Sequence, residues 1–135
     1  MNLKCVLLVE DDPDLMTLYG EYITRAFGDA VFLLKAYTVH EGISAAENIQ
    51  FDAVVSCYRL PDGVGTQVTE FIKNLCNRLP NIKKPHVVLA SASPPFDTGP
   101  AAKESGIDEV IMKGSHFNAL IGALEDKLGL ADAAL

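Results

Sequence analysis

No apolar run in this 135-residue chain approaches the roughly 18 residues a helix needs to span a bilayer. Residues 6–9 are too short for a secretory core and no cleavage site follows, so neither a membrane nor an exported protein is expected. Basic residues are also few. Eleven Lys and Arg, scattered along the chain, face eighteen Asp and Glu for a net charge of −7, which leaves no basic stripe for phosphates and argues against direct nucleic-acid binding. Cysteine occurs three times, at Cys5, Cys57 and Cys76, an odd number without CxxC spacing. That pattern argues against a disulfide framework and a structural zinc site. Cys5 and Cys76 lie in apolar patterns and are expected to be small buried hydrophobes. No GxGxxG follows the first apolar run and no GxxxxGK[ST] is present, so the glycine-rich cradle of a nucleotide- or flavin-binding protein is missing. With 49% hydrophobic and 21% charged residues the composition is that of one globular, cytoplasmic domain over residues 1–135.

The order of the apolar patterns carries the fold. Residues 5–9 form a continuous run of strand length, and Glu10-Asp11-Asp12-Pro13 ends it and supplies helix caps. Apolar residues at three- and four-residue spacing predict a helix over 13–27, with Gly28 as its stop. Then come a strand at 30–34, a helix at 39–48, a buried strand at 53–56 and a helix at 66–79. A strand at 86–90 precedes the breaker Ser93-Pro94-Pro95-Phe96-Asp97-Thr98-Gly99-Pro100, which leaves room for a short helix at 100–105. The fifth strand is expected at 107–112, and Ser115 can cap a last helix containing Phe117, Leu120, Ile121, Leu124 and Leu128 before a frayed end at 131–135.

Five strands alternating with five helices predict an α/β fold: a doubly wound, five-stranded parallel sheet in a three-layer domain. Ligands of such sheets gather beyond the carboxyl ends of the strands. Glu10, Asp11, Cys57, Ser91 and Lys113 fall at those ends. Paired carboxylates there suit magnesium, although acidic residues also cap helices without any metal.

Four segments, in order, resemble the bacterial response-regulator receiver domain. They are Leu7-Leu8-Val9-Glu10-Asp11-Asp12-Pro13, the stretch Phe51-Asp52-Ala53-Val54-Val55-Ser56-Cys57-Tyr58-Arg59-Leu60-Pro61-Asp62-Gly63-Val64-Gly65, Val88-Leu89-Ala90-Ser91-Ala92, and Asp108-Glu109-Val110-Ile111-Met112-Lys113. The resemblance implies a flavodoxin-like receiver fold, a metal pair in Glu10 and Asp11, a phosphate-site hydroxyl in Ser91 and a phosphate-site lysine in Lys113. Asp12 is then a helix cap and Asp62 a turn residue. The residue four before Pro61, where the family carries its phospho-acceptor aspartate, is Cys57.

The departures imply a changed function. A thiol with a reference pKa of about 8.5 is mostly neutral at pH 7, and sulfur removes a hard oxygen from the metal site. Magnesium binding is therefore expected to be weak or absent, with softer metals conceivable. Val110 stands where the family often carries a switching aromatic, Gly114 replaces a proline after the lysine, and Pro94-Pro95 shortens the fourth helix. The expected function is a receiver-like, non-enzymatic module of a two-component phosphorelay that acts through protein contacts, without an effector domain and with no catalytic residue. Its expected partners are a histidine kinase or a downstream regulator protein, and a homodimer is compatible. Three alternatives stay open: an ordinary phosphorylatable receiver carrying an engineered aspartate-to-cysteine change at 57, a thiol-based redox sensor, and a cysteine hydrolase drawing its base from His40, His86 or His116.

Overall fold

The computed structural model describes residues 3–92, 100–113 and 117–130. Its elements run β1 (Lys4–Val9), α1 (Pro13–Phe27), β2 (Val31–Ala36), α2 (Val39–Asn48), β3 (Ala53–Cys57), β4 (Arg59–Leu60), β5 (Gly63–Val64), α3 (Thr66–Arg78), β6 (His86–Ser91), α4 (Pro100–Glu104), β7 (Glu109–Met112) and α5 (Phe117–Leu128). Five of the strands form one parallel sheet in the order β2-β1-β3-β6-β7. The order reverses between β1 and β3, which puts the ends of those strands at the crevice where doubly wound sheets bind ligands.

Alternation along the strands sends successive side chains to opposite faces. Val6 and Leu8 pack with Met16, Tyr19 and Ile23 of α1 and with Leu120, Leu124 and Leu128 of α5. Leu7 and Val9 pack on the other face with Val39 and Ala46 of α2 and Val68 and Ile72 of α3. Burying one such aliphatic side chain contributes about 1.5–3 kcal/mol, so the sheet is held by its two apolar layers rather than by its polar ends. Cys5 and Cys76 are half-buried at the border of the second layer, not enclosed as expected, because each lies near the end of its element.

The helix starts are set by local chemistry. The Asp12 carboxylate accepts from the backbone N–H of Asp14 and Leu15, with Pro13 at the first helical position. At α2 the Thr38 hydroxyl accepts from the Glu41 N–H, and the Glu41 carboxylate accepts from the Tyr37 N–H, close to a capping box.

Most boundaries agree with expectation to within one residue; two differ by two residues, and one loop holds an unexpected element. β2 continues through Lys35 and Ala36, which pair with Leu8 and Val9, because an edge strand tolerates a polar side chain that faces solvent. β7 starts at Glu109 and not at residue 107, since the Ile107 N–H is bonded to the Ala102 carbonyl at the end of α4. The loop after β3 contains an unexpected antiparallel pair, β4 with β5, turning over Pro61-Asp62. Pro-Asp-Gly between apolar residues is a turn signal that carries this hairpin in the sequence. The Pro94-Pro95 breaker, Gly114, the Ser115 cap, His116 and residues 131–135 lie outside the described residues. Among the described residues no helix is long and apolar enough to cross a membrane.

Candidate functional site

Each expected pocket residue is delivered by a strand end. Glu10 follows β1, and its backbone N–H is bonded to the Ala36 carbonyl of β2 at 2.9 Å, which extends the ladder one residue and aims the carboxylate inward. Cys57 closes β3, paired with Ala90 of β6, and Ser91 closes β6, paired with Met112 of β7. The Lys113 N–H donates to the Ser91 carbonyl at 2.8 Å, so the lysine leaves β7 beside the other strand ends. Glu10, Asp11, Asp12, Cys57, Ser91 and Lys113 all line one cavity of about 280 Å³.

Inside it the polar atoms are closely matched. The Lys113 ammonium donates to Glu10 Oε1 at 2.8 Å and to Cys57 Sγ at 2.8 Å. Cys57 Sγ donates in turn to the Arg59 carbonyl at 3.3 Å, the arrangement of a neutral thiol that both gives and accepts a hydrogen bond. The second oxygen of Glu10 accepts from the Asp12 N–H at 3.1 Å. Glu10 is only 2% exposed and Ser91 3%, whereas Asp11 is exposed. An ion pair taken this far from water persists only when geometry and extra hydrogen bonds compensate its desolvation. Here both conditions hold.

Burial pushes the Cys57 thiol above its ordinary range and the Glu10 charge adds to the rise, while the Lys113 hydrogen bond pulls the other way without cancelling it. For Lys113, burial alone works against the charged form, but its bonds to Cys57 and Glu10 outweigh it and its pKa is raised. The pocket therefore holds an ammonium and a neutral thiol at neutral pH.

Other positions sort themselves around this centre. Val110 is half-buried and packs against Leu89, Ala102 and Ile107, and the aromatic ring at that cluster belongs to Tyr58, the residue after Cys57. In the sequence Tyr19 is one of the apolar residues whose three- and four-residue spacing marks the α1 face. It is 2% exposed beneath the pocket, and burial, then Glu10, then Cys57 hold its phenol well above the ordinary range. Nothing in the periodicity distinguishes it from Ile23, which shares that face. Asp62 does more than form a turn: its two oxygens accept from the Val39 N–H at 2.8 Å and the His40 N–H at 3.0 Å, joining the loop to the start of α2. Those two bonds lower its pKa. Gly65 closes the same loop against β3, where an added Cβ would collide with the Cys57 carbonyl oxygen. His86 lies at the opposite end of the sheet, with Nε2 3.0 Å from Glu109 Oε1. His40 is exposed on α2. Among the described residues no histidine contacts Cys57, so neither His40 nor His86 is placed to serve as its base, and His116 lies outside the described residues.

A family model described as the response regulator receiver domain matches residues 6–125. No curated protein matches the chain. Among solved structures, a CheY-like receiver domain protein from Methanospirillum hungatei is 22% identical with a TM-score of 0.75, and 95% of each chain is covered. The signal receiver domain of a LuxO repressor protein from Vibrio parahaemolyticus is 22% identical with a TM-score of 0.76, covering 96% of this chain and 93% of that one. A chain from the co-crystal structure of the Saccharomyces cerevisiae histidine phosphotransfer signaling protein Ypd1 and the receiver domain of its downstream response regulator Ssk1 reaches a TM-score of 0.81 at 16% identity, covering 99% and 93%. At these identities the structural likenesses establish the fold, with Cys57 at the end of the strand that carries the acceptor position.

Proposed function

Because the chain belongs to the response-regulator receiver family of two-component signalling, we propose that it is a non-enzymatic interaction module whose phosphorylation pocket is degenerate at Cys57. One observation carries this reading: the Lys113 ammonium lies 2.8 Å from both Glu10 Oε1 and Cys57 Sγ. The charge that would meet an incoming phosphoryl group is already paired, and the acceptor position presents a neutral thiol. Acyl-phosphate formation needs a carboxylate oxygen at that position. A thiol provides no such oxygen.

Magnesium, which the family implies, fits the donor set poorly. It takes hard oxygens in near-octahedral array. Glu10 and Asp11 can supply two, Cys57 supplies sulfur, and Lys113 already holds one oxygen of Glu10. Weak or absent magnesium binding follows. Within the reading Ser91 and Lys113 keep the hydroxyl and lysine positions of the family, and Val110 offers no ring to rotate. The partner class is a histidine kinase, a phosphotransfer protein or a downstream regulator, by analogy with the phosphotransfer complex to which the fold is similar. A cytoplasmic setting suits such partners.

The alternative of an ordinary receiver with an aspartate-to-cysteine replacement draws support from the convergence of Glu10, Asp11, Ser91 and Lys113 on one cavity. A redox sensor draws less, because the upward shift of Cys57 disfavours the thiolate that oxidation requires. Incubation with acetyl phosphate and magnesium, followed by intact mass measurement, tests the proposal. No labile phosphoryl adduct is expected, and a labile, hydroxylamine-sensitive acyl phosphate on this chain would refute it.

A further inference from the structure

The mismatch with magnesium has a chemical direction. Glu10, Asp11 and Cys57 each offer one ligand atom, and these atoms lie within 4.8 Å of one another, the one such cluster among the described residues. We propose that the pocket binds a thiophilic divalent cation of the zinc class, held by Cys57 Sγ and one carboxylate oxygen from each of Glu10 and Asp11. The inference rests on the reading of Cys57 as a native resident of a degenerate pocket.

The distances allow it. Zinc takes sulfur at about 2.3 Å and carboxylate oxygen at about 2.0–2.2 Å in a tetrahedral array, so two donors on one ion stand about 3.3–3.7 Å apart. Donor atoms that lie within 4.8 Å of one another reach that spacing by shifts of up to about 1.5 Å, and Asp11 is exposed and free to rotate by that amount. The cavity of about 280 Å³ leaves room for a solvent ligand, so the site is an open, three-residue one.

Cation affinity is visible without any metal. Glu10 and Cys57 together hold the Lys113 ammonium, a positive charge drawn from the far end of the chain into a half-buried position. Lys113 has a flexible stem and is 19% exposed, so it can give up both bonds and turn towards solvent or towards Ser91. When the metal binds, the Cys57 S–H bond breaks, the S–metal bond forms and the proton leaves to water. Two carboxylates and one thiolate are then balanced by the divalent ion and the Lys113 ammonium, so the pocket ends neutral. Magnesium, which does not take the thiol proton, reaches no such balance. Donor softness and charge therefore select in the same direction.

Cobalt(II) is the probe, because thiolate coordination produces a near-ultraviolet charge-transfer band. Titration of the full chain should give that band with one equivalent bound, should lose it on addition of zinc, and should keep it in a large excess of magnesium. The band should vanish in Cys57→Ser and survive in Cys5→Ser and Cys76→Ser. Asp11→Asn, an exposed change that leaves the core untouched, should weaken cobalt binding by more than about tenfold, the scale on which even outer-shell partners matter. No band, a band retained in Cys57→Ser, or an affinity indifferent to Asp11→Asn would overturn the proposal. None of these readings involves a phosphodonor, so this failure is separable from failure of the proposed function.

Discussion

The two ends of the parallel sheet are built from the same residue types and put them to opposite uses. At the amino end Asp52 and Asp108 stitch strands together. The Asp52 carboxylate accepts from the Cys5 N–H at 2.8 Å, and Asp108 accepts from the Val87 N–H at 2.8 Å. Their lysine partners, Lys83 and Lys84, are exposed and stand off at 3.6 and 3.5 Å. At the carboxyl end the Glu10–Lys113 pair is 2.8 Å apart and Glu10 is out of water. A carboxylate at the amino end satisfies the backbone, and its lysine is incidental. At the carboxyl end the lysine is the compensation for a buried charge, and the group it also holds is Cys57.

That contrast makes graded predictions. The largest effect is expected from Lys113→Ala, which leaves Glu10 buried and uncompensated and should cost about 3 kcal/mol in urea unfolding, with much of it recovered when Glu10→Gln is added. If the single variant is as stable as the parent, the pocket is wetter than described and the two ends do not differ. Asp52→Ala should cost about 1–3 kcal/mol by leaving the Cys5 N–H without its partner, while Asp52→Asn, which keeps an accepting oxygen, should cost less. Equal losses in the two would instead assign the effect to the charge.

A weaker effect is expected from pH. The folded state holds the Cys57 proton more tightly than the unfolded chain does, so the contribution of the neutral thiol is complete below the unfolded pKa of about 8.5 and is lost as pH rises through the higher folded value. Stability should accordingly fall more steeply with alkaline pH in the parent than in Cys57→Ser, a comparison that cancels the similarly raised Cys76. The smallest change belongs to Lys83→Ala. Its exposed pair with Asp52 should alter stability by no more than about 0.5 kcal/mol.

The elements that the sequence made legible are those with strong periodicity. β1, β3 and β6 are continuous apolar runs, and α1 shows its buried face through Tyr19, Ile23 and Phe27. The strand ends followed from the same reading, which is why Glu10, Asp11, Cys57, Ser91 and Lys113 could be named before their contacts were visible. What stayed hidden depends on partners remote in the chain. β2 reached Ala36 because β1 lies beside it, and Asp62 reached α2 across 23 residues to Val39. No local pattern encodes either. The double grip of Lys113 on Glu10 and Cys57 joins residues 103 and 56 apart, and only folding sets its distances.

Intact mass after incubation with acetyl phosphate and magnesium, run on this chain beside Cys57→Asp, addresses the central claim that one residue silences an otherwise assembled pocket. The account predicts a labile phosphoryl group on the aspartate variant and none on the parent. An adduct on neither chain would contradict it by placing the lesion elsewhere in the pocket, and an adduct on the parent would show that Cys57 does not silence the site.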